Sequence, residues 1–164
     1  MKKPLRVIVA VTAAILIGTF IVVQDSTAGE YCRDGRFIVY NDGTVLDAQT
    51  NLMWAVKDSG LDTNWQGAAS YCRNYRGGGY TDWRMPTQNE LAKLYDGSKS
   101  RPGSCSGGFD IHVATELIDI TCFDLWASET NGPHAAYFVF SSGLRAWDDQ
   151  FFGSHRALPV RSGK

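Results

Sequence analysis

The sequence predicts an α+β fold, and two observations carry that reading. Two segments with helical periodicity fall early, between residues 63 and 97. A run of short strand-like segments separated by Gly turns then fills the last third. Length adds a bound: 164 residues, 44% hydrophobic and 12% aromatic, suffice for one core, and no internal repeat or long linker divides them.

The first 28 residues read as a signal peptide and residues 29–164 as a single domain. Lys2, Lys3 and Arg6 form a positive start, Val7 to Val23 is an apolar or small-residue run, and Ser26-Thr27-Ala28 supplies a cleavage site. The rival reading is an uncleaved anchor, since that run lies at the lower edge of what spans a bilayer. A secreted or periplasmic protein is expected, touching a membrane only if the segment stays attached.

"RFIVYNDGTVLD" (36–47) is a hairpin, two strand-like runs around Asn-Asp-Gly, and "NLMWA" (51–55) is a third short strand. Trp65, Ala68, Ala69 and Cys72 recur at i, i+3, i+4 and i+7, so the first helix turns Cys72 inward; Thr63 and Gln66 suit a capping box at its start. After the Gly77-Gly78-Gly79 break comes "GYTDWRMPTQNEL" (79–91). Thr87 and Glu90 form a second capping box, Pro86 and Leu91 a hydrophobic staple, and Leu91, Leu94 and Tyr95 the buried face, with Gly97 as the stop. Arg84 lies between Trp83 and Met85, so its stem is expected to be buried and its guanidinium to need a carboxylate or carbonyls. The strands of the last third are "LWAS" (125–128), "AAYFVF" (135–140), "GLRAW" (143–147) and "ALPVR" (157–161), with turns at Asn131-Gly132 and Ser142-Gly143.

Cys32, Cys72, Cys105 and Cys122 all follow the signal segment, which argues for two disulfides with three possible pairings. Cys105–Cys122 and Cys32–Cys72 are the pairs expected. The first closes a short loop around the Gly/Ser-rich stretch 97–108, and the second ties the mature N-terminus to the inward face of the first helix. No two cysteines are spaced for zinc.

Several functions are excluded or disfavoured. Without residues 1–28 the chain keeps 13 Lys and Arg against 16 Asp and Glu, a charge of −3, which gives no pull toward nucleic acid. His112, His134 and His155 share no spacing, and no nucleophile elbow, His-Glu-x-x-His or phosphate-loop motif occurs. Asp148 and Asp149 lack the alternating oxygen ligands of a calcium loop. No metal, no cofactor and no catalytic residue is expected.

"DAQTNLMWA" (47–55), "AASYCRNYRGGGYTDWRMPTQNEL" (68–91), "LWAS" and "ALPVR" together resemble the Lcl (Legionella collagen-like) C-terminal domain family across about residues 36–161. The resemblance implies a C-type-lectin-like fold, two helices packed on a small looped antiparallel sheet. It marks Trp54, Trp83, Arg84, Pro86, Thr87, Glu90 and Trp126 as scaffold residues. Asn51 stands where the family prefers Gly, which Asn tolerates because it adopts the left-handed conformation cheaply. No collagen-like repeat precedes the domain, so a trimeric adhesin is not implied.

The function expected is a non-enzymatic recognition module that binds an extracellular or envelope glycan or protein through loops. Two alternatives stand: an assembly component of a cell-envelope complex, and an enzyme resembling the formylglycine-generating group. The latter uses a pair of reactive cysteines late in the chain, and none follows Cys122. The ligand is expected at "LRAWDDQFFGSHR" (144–156), where Arg145, Trp147, Asp148, Asp149, His155 and Arg156 stand with Phe151 and Phe152. The opposing reading buries the aromatics and solvates the charges.

Overall fold

The predicted hairpin organises the first sheet. In the computed structural model, which describes residues 29–105 and 108–163, Glu30–Asp34 (β1) pairs with Phe37–Tyr40 (β2), and β2 with Thr44–Asp47 (β3). Gly43 takes φ 79° in the β2–β3 turn, and Asp42 Oδ1 accepts from the Thr44 N–H at 3.0 Å. Leu52–Ala55 (β4) joins β3 after Asn51, whose φ of 52° is the left-handed conformation that Asn tolerates. The expected signal segment lies outside the described residues.

Trp65–Asn74 (α1) starts one residue later than the Thr63 box predicted. Asn64 is the cap, its Oδ1 accepting from the Gly67 N–H at 2.9 Å. Thr63 is engaged elsewhere: its N–H donates to the His155 carbonyl at 2.9 Å, and its carbonyl accepts the Trp126 indole at 2.8 Å.

Gln88–Ala92 (α2) has the predicted capping box. Thr87 Oγ1 accepts from the Glu90 N–H at 3.1 Å, and Glu90 Oε2 accepts from the Thr87 N–H at 2.8 Å. The helix stops early, however. Lys93, Leu94 and Tyr95 donate three residues back, to Glu90, Leu91 and Ala92, in a tight tail. Tyr95 then bridges Val113, and Ala114 donates to the Leu94 carbonyl at 2.7 Å, so Gly97 ends no helix.

Arg101–Pro102 (β5) and Asp110–Ile111 (β6) form a two-stranded ladder. Asp124–Asn131 (β7), His134–Val139 (β8) and Leu144–Asp149 (β9) form an antiparallel meander, and Val160–Ser162 (β10) returns to pair with β4. The three sheets are β1-β2-β3-β4-β10, β5-β6 and β7-β8-β9.

The expected α+β, C-type-lectin-like architecture of two helices on a small antiparallel sheet is therefore overturned. Three antiparallel sheets with ten strands dominate the described residues, while the helices hold only 10 and 5 residues; the fold is mostly β. The helical period from Leu91 to Tyr95 misled because a tight i+3 tail places the same residues inward. One core gathers Trp54, Trp83, Leu91, Leu94, Phe138 and Phe140; a second, under α1, gathers Ala68, Cys72, Met85, Trp126, Ala135 and Ala157.

Cys105 and Cys122 are bonded, with Cα atoms 5.2 Å apart. The expected Cys32–Cys72 bond is absent. Cys32 is exposed on β1, at the edge of the five-stranded sheet, whereas Cys72 is buried on α1 in the second core. An even count of cysteines does not fix their pairing, and the two positions belong to different layers. Burial pushes the Cys72 thiol up to about 12, so it packs as a small hydrophobe.

The Trp-Arg-Met-Pro stretch is clasped from both sides. Arg84 and Val160 exchange backbone hydrogen bonds, each 2.9 Å, and Arg161 reaches Asp82 with Nε at 2.7 Å and Nη2 at 3.0 Å while lying over the Tyr80 ring. Trp83 is buried, its indole donates to the Gly77 carbonyl at 3.1 Å, and its ring meets Tyr75 edge-on. Arg84 finds the carboxylate it was expected to need, donating to Glu90 Oε2 and Oε1 at 2.8 and 2.6 Å, but its side chain is exposed along the surface rather than buried as expected.

Candidate binding cleft

Strand alternation divides the residues of segment 144–156. On β9, Arg145, Trp147 and Asp149 share one face and Asp148 the other. Arg145 Nη1 donates to Asn89 Oδ1 on α2 at 2.6 Å. Trp147 is 48% exposed. Asp149 shapes the turn that follows, its Oδ1 accepting the Phe151 N–H at 2.8 Å and its carbonyl the Phe152 N–H at 2.9 Å. Gln150 holds the other side, Nε2 donating to the Gly132 carbonyl at 2.9 Å. This fixed turn leaves Phe151 85% and Phe152 51% exposed.

The chain then dives inward. His155 and Arg156 lie between two other segments, the Thr63–His155 bridge on one side and the Leu125–Arg156 bridge on the other. Trp126 donates to the Arg156 carbonyl at 2.9 Å, and Arg156 to the Asp124 carbonyl at 3.0 Å. These pairings bring Asp62, Asp124, Asp148, His155 and Arg156 together from four stretches of sequence.

Arg156 is buried and committed. Its Nε donates to Asp62 Oδ1 at 3.1 Å, and its Nη1 donates to the hydroxyl of Thr121. That hydroxyl and the Thr121 N–H donate in turn to buried Asp58, the N–H at 2.6 Å. Arg156 is thus a strut between two acidic segments.

His155 is 3% exposed. Its ring stacks on Tyr137 with centroids 4.2 Å apart and meets Trp126 edge-on at 4.4 Å. Nε2 stands 3.4 Å from Asp148 Oδ2 and Nδ1 3.7 Å from Asp124 Oδ2, and neither nitrogen has a hydrogen-bond partner within the protein. Burial holds the imidazole below its ordinary value, against the pull of Asp148, so it is neutral at pH 7.

Asp124 responds in the opposite direction. Burial first, then the charges of Asp62 and Asp148, push its carboxyl up to about 6, and its Oδ1 has no partner. Asp62, Asp124, Arg156 and Phe152 line a cleft of about 500 Å³ whose far wall is the Cys105–Cys122 disulfide with Phe123. Asp58, Asp62, Asp124 and Phe123 were not singled out by sequence reasoning. Each sits in an unremarkable local context, and only the long-range bridges at residues 63 and 125 assemble them. Among the described residues no group of three or more His, Cys, Asp or Glu is arranged to hold a metal ion. His112 lies elsewhere, its Nδ1 2.5 Å from the Lys99 carbonyl oxygen, and His134 is exposed at the start of β8.

The fold and site define a mostly β domain with a disulfide-walled acidic cleft and a rigid aromatic turn beside it. Residues 43–161 match the model of the Lcl C-terminal domain, and the chain belongs to that family. Comparison with curated proteins and with solved structures gives no match. Among the described residues, no helix is long and apolar enough to cross a membrane.

Proposed function

We propose that this protein is an exported, non-enzymatic recognition module that captures a glycan or protein ligand in the periplasm or outside the cell. The observation that carries this reading is the turn at 149–152, which holds Phe151 and Phe152 in solvent, with Trp147 half-exposed on the strand leading into it. Exposed rings cost free energy in a monomer, and a turn fixed by side-chain hydrogen bonds orders them before binding, which lowers the entropic cost of association. Flat rings stack equally on the apolar faces of sugars and on side chains of a protein. A non-enzymatic role is favoured because the one imidazole near the cleft is sealed behind Asp124 and Asp148, out of reach of a substrate. Export rests on the charged start, apolar run and small-residue site before Gly29.

The test is capture on a glycan array and by envelope proteins, repeated with Trp147→Ala and Phe151→Ala after circular dichroism has confirmed the fold. Anchoring rings should each contribute about 1–3 kcal/mol, so capture should weaken roughly fivefold to a hundredfold. Undiminished capture by both folded variants overturns the proposal.

A further inference from the structure

We propose that Asp124, His155 and Asp148 form a proton-operated lock on the aromatic turn: a single proton taken up by Asp124 links the three side chains by hydrogen bonds and fixes both ends of residues 148–155. The inference rests on the recognition reading, since that turn carries its binding rings.

The lock stands where three segments meet. Asp124 begins β7, Asp148 lies near the end of β9, and His155 follows the turn that carries Phe151 and Phe152. The His155 ring is enclosed by Tyr137 at 4.2 Å and Trp126 at 4.4 Å, with the Phe152 ring 6.0 Å away. Its Nδ1 faces Asp124 Oδ2 at 3.7 Å and its Nε2 faces Asp148 Oδ2 at 3.4 Å, both beyond ordinary hydrogen-bond lengths. Both nitrogens and Asp124 Oδ1 are buried without a partner in the protein.

A neutral imidazole cannot satisfy this arrangement. It carries one N–H and one lone pair, whereas an ionised carboxylate on each side offers only lone pairs. With the hydrogen on Nε2, Asp148 is matched, but the Nδ1 lone pair is set against Asp124. One proton from solvent removes the conflict. Asp124 Oδ2, once protonated, donates to Nδ1; that fixes the ring hydrogen on Nε2, which donates to Asp148. Each gap needs to close by less than about 1 Å to reach hydrogen-bond length.

Asp124 is the member that takes the proton. Its side chain is 15% exposed against 33% for Asp148, so water solvates its charge less. The charges of Asp62 and Asp148 also act on it, while the Arg156 guanidinium is turned to Asp62 and Thr121, with Asp58 at 3.9 Å. Tyr137 on β8 is held above its ordinary value by burial first and stays neutral. The Asp124 carboxyl is therefore raised to about 6, whereas burial holds His155 below its ordinary value. A raised carboxyl favours the linked cluster once protonated, so the gain begins as pH falls through about 6 and is complete near the unfolded value, about 3.9. His155 runs the other way, because a proton on Nδ1 removes the acceptor that Asp124 needs. The lock thus belongs to mildly acidic pH, where it orders Phe151 and Phe152 before binding.

The test is NMR on the intact, ligand-free protein between pH 7.5 and 5. The Asp124 carboxyl carbon should titrate near 6, while the His155 ring nitrogens keep a neutral pattern and settle on the Nε2–H tautomer. Asn at position 124 supplies a permanent donor to Nδ1. The amides of Gln150 and Phe152 should therefore exchange about fivefold more slowly in Asp124→Asn than in wild type at pH 7.5, and the gap should narrow toward pH 5. Imidazolium shifts at His155 before Asp124 titrates, an Asp124 midpoint below about 4.5, or equal exchange in folded Asp124→Asn at pH 7.5 overturns the inference. None of these readings involves a ligand, so the recognition reading is judged apart, by array capture with Trp147→Ala and Phe151→Ala.

Discussion

Two regions rich in polar and aromatic residues, 80–91 and 147–156, are built to opposite specifications. In the first, Trp83, Arg84, Thr87 and Glu90 each have a partner at hydrogen-bond distance, and Asp82 is matched by Arg161. None of the buried side-chain atoms left without a partner among the described residues belongs to that stretch. In the second region and the Asp124 it packs against, three such atoms lie within a few ångströms of each other, and three aromatic rings face solvent. A satisfied network stabilises and fixes the chain, whereas orphaned groups and exposed rings lower stability and are retained where something else binds.

The largest expected effect breaks the first region. Trp83→Ala removes a buried ring from the main core and should cost about 3–5 kcal/mol in urea unfolding, with ligand capture kept by the molecules that remain folded. Loss of capture at unchanged stability would move Trp83 out of the scaffold.

Glu90→Gln comes next, at about 1–2 kcal/mol, because it removes the carboxylate that serves both Arg84 and the α2 cap. Burial raises the Glu90 pKa, but the hydrogen bonds from Arg84 and Thr87 outweigh it and hold the carboxyl below its ordinary value. Its contribution is thus present above the unfolded pKa, about 4.3, and lost as pH falls through the lower folded value. The gap between wild type and variant, measured by denaturation across pH 7 to 3, should close at the acid end.

Asp124→Asn should act in the opposite direction. A carboxyl whose folded value is raised to about 6 destabilises the protein when ionised, so the variant should be more stable at pH 7.5 by about 1 kcal/mol, or a few degrees in Tm. That advantage should vanish as pH falls from about 6 to about 4, where the wild-type carboxyl protonates in the folded and then the unfolded state. A variant less stable than wild type at pH 7.5 would erase the contrast between the two regions.

The smallest effect concerns the free cysteines. Cys32→Ser should leave stability within about 0.5 kcal/mol, since the exposed thiol bonds to no other cysteine. Alkylation of the native protein should label Cys32 alone, and Cys72 only after denaturation. Recovery of a Cys32–Cys72 peptide without reduction would refute that assignment.

What could be read from the sequence was local. The Thr87–Glu90 box, the 36–47 hairpin, the inward turn of Cys72 and the left-handed Asn51 depend on residues a few positions apart, where spacing and geometry coincide. The Cys105–Cys122 bond closes a short loop and was reached the same way. The cleft was not legible, because Asp62 and Asp124 reach His155 through two bridges that no sequence period encodes. Of the six candidates in 144–156, Asp148, His155 and Arg156 converge near the cleft, while Arg145, Trp147 and Asp149 face away from Asp148 on β9. The α+β reading failed for a related reason: helical periodicity announced two helices, but the share of the chain given to strands depends on pairings such as β10 with β4.

That pairing governs the order in which the molecule can assemble. β10 joins β4, and Arg161 Nη1 contacts the sulfur of Met53 across 108 residues of chain. The same strand supplies the backbone clasp to Arg84 and the side-chain clasp to Asp82. Until residue 162 is available, β4 has one bare edge and the Trp83 segment lacks both of its clasps. The meander β7-β8-β9 and the β1-β2-β3-β4 ladder can form from neighbours, whereas the β4–β10 pairing waits for the last strand. A domain whose closing strand pairs across so much of the chain folds late and slowly.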